Sequence, residues 1–346
     1  MASAQGLQQA WAARGPLASA LWPLSRLFGA IAALRRALYR IGLLRQQRVA
    51  APVVVVGNLI AGGAGKTPVV MAIVASLRAR GHTPGIVSRG YGAQPVGVLE
   101  VTRETPAANS GDEPLLLHLR TGAPVVIGRD RVAAAKQLLQ RHPEVDVVVS
   151  DDGLQHLRLA RDAQVLVFDE RGVGNGWLLP AGPLREPLPR AAPARTLVVY
   201  NARAASTPLP GTLARRGLAG VVGLADWWAG RAASIDALLA LRGRRVIAAA
   251  GIASPERFFT MLREHGLAIE PRPLPDHHPF AELPWPADTA DVVVTEKDAI
   301  KLDPARIGRT RVWVAPLDFA LDAAFDAALF ALLPLPGGRS DGNPIA

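Results

Sequence analysis

The chain has 346 residues, enough for about two domains of ordinary size. It is 49% hydrophobic and 20% charged, a globular balance, and the lack of cysteine excludes disulfides, thiolate zinc sites and cysteine nucleophiles together. A formal charge of +10 implies attraction to something acidic. The sequence has no Lys/Arg run interleaved with aromatics, no zinc-finger spacing and no RNP-like segment, so no nucleic acid partner is expected. Anionic lipid and phosphorylated small molecules remain.

Residues 16–44 are apolar and basic, with no acidic residue. A secretory signal is excluded because a nucleotide-type loop follows directly, and export would part it from its ligand. A spanning helix would hold Arg26 inside the one window long enough, at about 2.5–3.5 kcal/mol if central. On a helical wheel Leu24, Leu27, Phe28, Ile31, Leu34 and Leu38 share one face; Arg26, Arg36 and Arg40 lie roughly opposite, and Arg35 intrudes on the apolar side. The pattern suits a helix lying in a membrane interface, with Trp11 and Trp22 as interfacial residues, or an amphipathic helix packed on its own domain.

The run Val53-Val-Val-Val-Gly-Asn-Leu-Ile-Ala-Gly-Gly-Ala-Gly-Lys-Thr-Pro68 reads as a buried strand, a phosphate-cradling loop and the start of a helix. Ile60, Ala61, Gly62, Gly63, Ala64, Gly65, Lys66 and Thr67 are the candidate nucleotide-binding residues. In such loops the Lys contacts the outer phosphates and the Thr hydroxyl holds Mg²⁺. One position departs from G-x-x-x-x-G-K-[ST]: Ile60 stands where the first glycine belongs.

Strands are expected at 83–88, 123–127, 145–150, 164–169 and 196–201, alternating with helices at 115–120 and 131–141. This is a P-loop NTPase-like, doubly wound and mostly parallel α/β sheet, whose ligands gather beyond the carboxyl ends of the strands. Two acidic pairs offer chemistry. Asp151-Asp152 follows a buried strand and suits a Mg²⁺-ordering role; Asp112-Glu113 sits on a turn before a helix and offers a proton acceptor and a metal-positioning carboxylate. A helix N-terminus also favours acids for structural reasons alone.

The Pro/Gly-rich stretch 179–193 breaks the alternation and reads as a functional loop or a domain crossing. A smaller α/β domain follows, with strands at 245–251, 291–295 and 311–315 and a helix near 255–265. Asp276-His277-His278 lies in a Pro-flanked loop, and zinc is not expected there because no further His or Cys completes a ligand set. Thr295-Glu-Lys-Asp298 imitates a guanine-selecting motif with its Lys one place late, and is expected to serve the fold of the second domain. The boundaries expected are an N-terminal helical segment 1–48 that associates with membrane, a P-loop domain 49–202, a smaller α/β domain 203–333 closing a substrate cleft, and a disordered tail 334–346.

Seven motifs in order, from Gly57-Asn-Leu-Ile-Ala-Gly-Gly-Ala-Gly-Lys-Thr-Pro68 through Ser88-Arg-Gly-Tyr-Gly92, Gly111-Asp-Glu-Pro114, Ser150-Asp-Asp-Gly-Leu-Gln-His156, Pro180-Ala-Gly-Pro-Leu-Arg-Glu186 and Asp276-His277 to Val294-Thr-Glu-Lys-Asp298, give a sequence that closely resembles the tetraacyldisaccharide 4′-kinases of lipid A biosynthesis. The resemblance implies ATP- and Mg²⁺-dependent phosphorylation of the 4′-hydroxyl of an acylated glucosamine disaccharide 1-phosphate. It implies a monomer at the cytoplasmic face of a Gram-negative inner membrane, peripheral or N-terminally anchored, with the membrane surface as partner. Carried over by position, it implies Asp112 as general base, His277 as its partner with His278 the alternative, Arg185 as a neutraliser of developing charge, and Thr67, Glu113 and Asp151 or Asp152 as the metal side. A P-loop ATPase switch of the partitioning or cell-division type is the rival reading. Those proteins carry a signature Lys immediately before the paired glycines, where this chain has Ala61.

Overall fold

The computed structural model describes residues 11–93 and 97–334. Of the tail expected to be disordered, all but Pro334 lies outside the described residues. In chain order the chief elements of the first half are α1 (Pro16–Arg40), β1 (Val53–Gly57), α2 (Lys66–Ala79), β2 (Pro84–Ser88), β3 (Leu99–Val101), α3 (Asp112–Thr121), β4 (Val125–Ile127), α4 (Arg131–Arg141), β5 (Val147–Asp151) and β6 (Ala163–Phe168). Then come β7 (Thr196–Tyr200), β8 (Thr212–Leu213), β9 (Arg215–Leu218), β10 (Val222–Gly223), β11 (Val246–Ala250), α5 (Pro255–Glu264), β12 (Ile269–Pro273), β13 (Asp291–Thr295), β14 (Arg311–Ala315), β15 (Leu317–Ala320) and α6 (Ala323–Ala331).

Eight strands form the larger sheet in the order β3-β4-β2-β5-β1-β6-β7-β8, parallel except for β3. Its central strands read as unbroken valine runs because both faces are covered. On β1, Val54 and Val56 join a core shared with Val70, Ile73 and Leu77 of α2, while Val53 and Val55 turn to the other face and meet Val132, Ala135 and Leu138 of α4. Register then decides what sits beside the loop: Val56 on β1 pairs with Asp151 on β5, so the acidic strand end emerges next to the β1–α2 turn.

The smaller sheet has the order β10-β14-β13-β11-β12, parallel except for β10. Phe258, Phe259 and Leu262 of α5 cover one face, and Val292 and Val294 on the other join the same core as Val54 and Ile73 of the larger sheet. The two sheets therefore share apolar packing. The larger sheet takes its last short strand from 212–213, and an antiparallel ribbon of β9 and β15 runs between the two.

The domain-packed reading of the N-terminal helix describes one face of α1. A narrow stripe docks on the protein: Ser25 is buried and donates to Leu178 O (2.8 Å), Gly29 lies so close to Leu178 that a Cβ would meet Cδ1 at 2.6 Å, and Arg36 pairs with Glu186 at 3.3 Å. Arg35, the residue that intrudes on the apolar face, donates to Gln155 O. The other stripe faces outward, with Leu24, Leu27, Ile31 and Leu34 between 55% and 61% exposed. By length and composition α1 could cross a membrane, its most apolar 18 residues having a mean hydropathy of 1.5.

Candidate active site

The β1–α2 loop is shaped from inside by Asn58, which is fully buried. Its Nδ2 donates to Ile60 O (2.9 Å) and Gly62 O (3.2 Å), and its Oδ1 accepts from Lys66 Nζ at 3.2 Å. The side chain at position 60 turns into the protein interior. Ile60 is 1% exposed, packs with Leu59, Leu154 and Leu184, and sits in a bridge to Leu184 of the 179–193 stretch, where Ala61 N donates to Pro183 O. A glycine there would leave a hole in this cluster, which explains the departure from the common loop pattern. At the other end Gly65 adopts a left-handed conformation (φ 70°) as the residue before α2, and a Cβ would come within 1.9 Å of Asn201 Nδ2. Lys66 and Thr67, both buried, then open the helix whose free N–H groups and dipole favour phosphate.

The acidic pair at the end of β5 separates into two environments. Asp152, in the left-handed region (φ 47°), meets Lys66 Nζ at 3.4 Å and Arg185 Nη1 at 3.2 Å. Burial would raise its pKa, but the Lys66 and Arg185 charges outweigh this and hold the carboxyl below the usual range. Asp151 is buried; its Oδ2 accepts from Ser88 Oγ (3.0 Å) and its Oδ1 has no hydrogen-bond partner. Burial first, and the Glu113 charge second, push its pKa up to about 6. An orphaned carboxylate oxygen at the strand end next to the β1–α2 loop suits Mg²⁺, because a cation would supply the missing counter-charge. Among the described residues no group of three or more histidines and carboxylates that could hold a metal ion is present.

Asp112 and Glu113 are the first two residues of α3, not a turn ahead of it. Gly111 makes this possible: its φ is +82° and a Cβ would lie 2.5 Å from Tyr91 O. The two carboxylates face the second sheet. His277 Nδ1 lies 3.0 Å from Asp112 Oδ2, and Lys301 Nζ lies 3.1 Å from the same oxygen. Burial acts to raise the Asp112 pKa; the His277 hydrogen bond and the Lys301 charge prevail and hold it low. The same hydrogen bond to Asp112 raises the His277 pKa. His278 turns into its own loop, where Nδ1 accepts from Phe280 N and the ring stacks edge-on against Phe280.

The Thr295–Asp298 segment does more than secure its own domain. Lys297 forms an ion pair with Glu113 and Arg120 one with Glu296 (2.5 Å), so this turn clasps α3 from across the cleft. Asp298 accepts from Gly251 N at 3.1 Å, and Gly251 O in turn accepts from His277 N at 3.1 Å, which supports His277 at its left-handed φ of 59°. Asn58, Ser88 and Lys297 are therefore candidate site residues that lie inside the motifs without a role assigned to them, and Lys301 lies outside the motifs; the signal available for it was the i, i+4 spacing from Lys297.

A cavity of about 540 Å³ runs from Lys66 and Thr67 along Met71 and Ala75 of α2, past Glu113, to Phe258 of α5 and Phe319 of β15. Phosphates held at a helix N-terminus on one wall, with a carboxylate poised on the other, is the arrangement of a P-loop kinase. The family described as tetraacyldisaccharide-1-P 4′-kinase matches residues 17–334, and the chain belongs to it. A tetraacyldisaccharide 4′-kinase of Methylibium petroleiphilum is 60% identical over 339 residues, covering 96% of this chain and 95% of that one. Another, from Leptothrix cholodnii, is 55% identical over 332 residues, covering 95% of each. The crystal structure of LpxK from Aquifex aeolicus in complex with ATP superposes with a TM-score of 0.76 at 28% identity, over 92% of this chain and 100% of that one. That likeness agrees with the expected P-loop α/β fold and argues against an ATPase switch.

Proposed function

We propose that the chain transfers the γ-phosphoryl group of ATP to the 4′-hydroxyl of an acylated glucosamine disaccharide 1-phosphate, giving the 1,4′-bisphosphate. The observation that carries this reading is the Asp112–His277 pair standing beside Glu113, which lines one cavity with Lys66 and Thr67 of the phosphate loop, in a chain of this family. Loop N–H groups and Lys66 hold the phosphates, for which Lys66 exchanges its contacts with Asn58 and Asp152. The 4′-oxygen forms a bond to the γ-phosphorus as the bond to the β–γ bridging oxygen breaks. Asp112 takes the hydroxyl proton, His277 holds Asp112 in place, and ADP leaves with the bridging oxygen.

Thr67 and Asp151, with Glu113 close by, are the residues that would hold Mg²⁺, which supplies charge neutralisation at the β- and γ-phosphates. Arg185, shared with Asp152, offers a second positive charge beside the loop. We divide the chain into a membrane-associating segment, a kinase unit and a smaller unit that closes the cleft, and place it at the cytoplasmic face of a Gram-negative inner membrane. The exposed leucine stripe of α1 supports that placement, and a site built within one chain supports action as a monomer.

The test is incubation with γ-labelled ATP and acylated disaccharide 1-phosphate. Label on the lipid is expected; label in free phosphate alone would sink the proposal.

A further inference from the structure

Lys301 has its side chain 8% exposed and lies two residues beyond the helical turn Glu296–Ala299 that carries Lys297. Its ammonium sits 5.9 Å from the ring centroid of Phe280, in the loop that delivers His277, and 3.1 Å from Asp112 Oδ2 at the start of α3. It thus touches both elements that bring the acid and the imidazole together. Burying an ammonium is unfavourable unless a counter-charge is close, and among the described residues Asp112 is its ion-pair partner.

Two nitrogen partners of Asp112 converge on one oxygen. His277 Nδ1 at 3.0 Å and Lys301 Nζ at 3.1 Å both address Oδ2. A carboxylate held at one oxygen by a hydrogen bond and an ion pair is restrained in orientation, and neither contact occupies its second oxygen. We propose that Lys301 is a positioning residue for phosphoryl transfer, pinning Asp112 Oδ2 together with His277 so that Oδ1 faces the acceptor hydroxyl. The inference rests on the reading of Asp112 as the base. Lys297, one helical turn earlier, does the equivalent for Glu113, so a single turn sets two adjacent carboxylates.

The experiment compares Lys301→Met, Lys301→Arg and Lys301→Ala in the full chain with detergent-dispersed lipid substrate. Loss of orientation at the reacting atom predicts a fall in kcat of about 10²-fold for Lys301→Met, with KM for ATP and lipid unchanged. Lys301→Arg recovers part of the rate, and added ethylammonium restores Lys301→Ala, a rescue that a purely structural lysine would not show. In an Asp112→Asn background, Lys301→Met costs nothing further. Unchanged kcat in Lys301→Met, or a loss that neither Arg nor the amine repairs, overturns the proposal. The base reading fails separately: Asp112→Asn would then turn over at nearly the wild-type rate, whatever Lys301→Met does.

Discussion

His277 Nδ1 and Asp112 Oδ2, 165 residues apart in sequence, lie 3.0 Å from each other across the cleft between the two sheets. Neither half of the chain holds the pair alone. Its geometry depends on Gly111 at the start of α3 and on the left-handed backbone of His277, which Gly251 and Asp298 brace from below.

Removing the carboxylate should therefore slow chemistry and spare nucleotide binding. Asp112→Ala is expected to lower kcat by about 10²–10⁴-fold, with ATP affinity by calorimetry close to wild type. Wild-type turnover would remove Asp112 as the base.

Restoring the standard glycine to the phosphate loop should harm the protein. Ile60→Gly deletes a side chain that is 1% exposed in a packed cluster, and a loss of about 2–5 kcal/mol in unfolding free energy is expected from denaturant titration. Asn58→Ala removes the loop's internal brace and is expected to cost about 1–3 kcal/mol and to raise KM for ATP. An Ile60→Gly protein of unchanged stability would contradict the packing role.

The outward stripe of α1 should govern membrane attachment without entering the chemistry. Replacing Leu27 and Ile31 together by Glu is expected to release the protein from anionic vesicles in co-sedimentation while leaving kcat on detergent-dispersed substrate unchanged. Sedimentation equal to wild type would show that another surface carries the attachment.

Stability should fall on the alkaline side at one identified site. Burial draws the His142 pKa down, but ring contacts to Glu100 (2.8 Å) and Glu144 (3.2 Å) outweigh it, and the folded value lies above 6.5. A raised folded pKa gives stabilisation that is complete below the unfolded value and disappears as pH rises through the folded one. His142→Gln is expected to lower Tm at pH 6 and to leave it unchanged at pH 9; an equal loss at both values would mean packing, not charge.

Much of the site could be read from local sequence because each piece is a short run with its own chemistry. The valines of β1 and β5, the glycines before Lys66 and the carboxylates at 112–113 and 151–152 declare themselves without their neighbours. What escaped depends on partners far along the chain. Lys301 is an ordinary lysine until the second sheet sets it against Asp112, and Asn58 reads as a turn residue until its amide is seen inside the loop. The strand Ile269–Pro273 was also hidden, since two prolines argue against a central strand. It is tolerated because β12 is an edge strand, pairing with β11 alone.

Ser25 and Gly29 dock α1 on Leu178, in the segment that also carries Arg185, so the leucine stripe and the charge beside Asp152 share one support. On the function proposed above, an enzyme tethered this way searches in two dimensions. Its rate would follow the mole fraction of acceptor in the bilayer, not the amount per litre, and diluting the surface with inert lipid would slow it at constant total substrate.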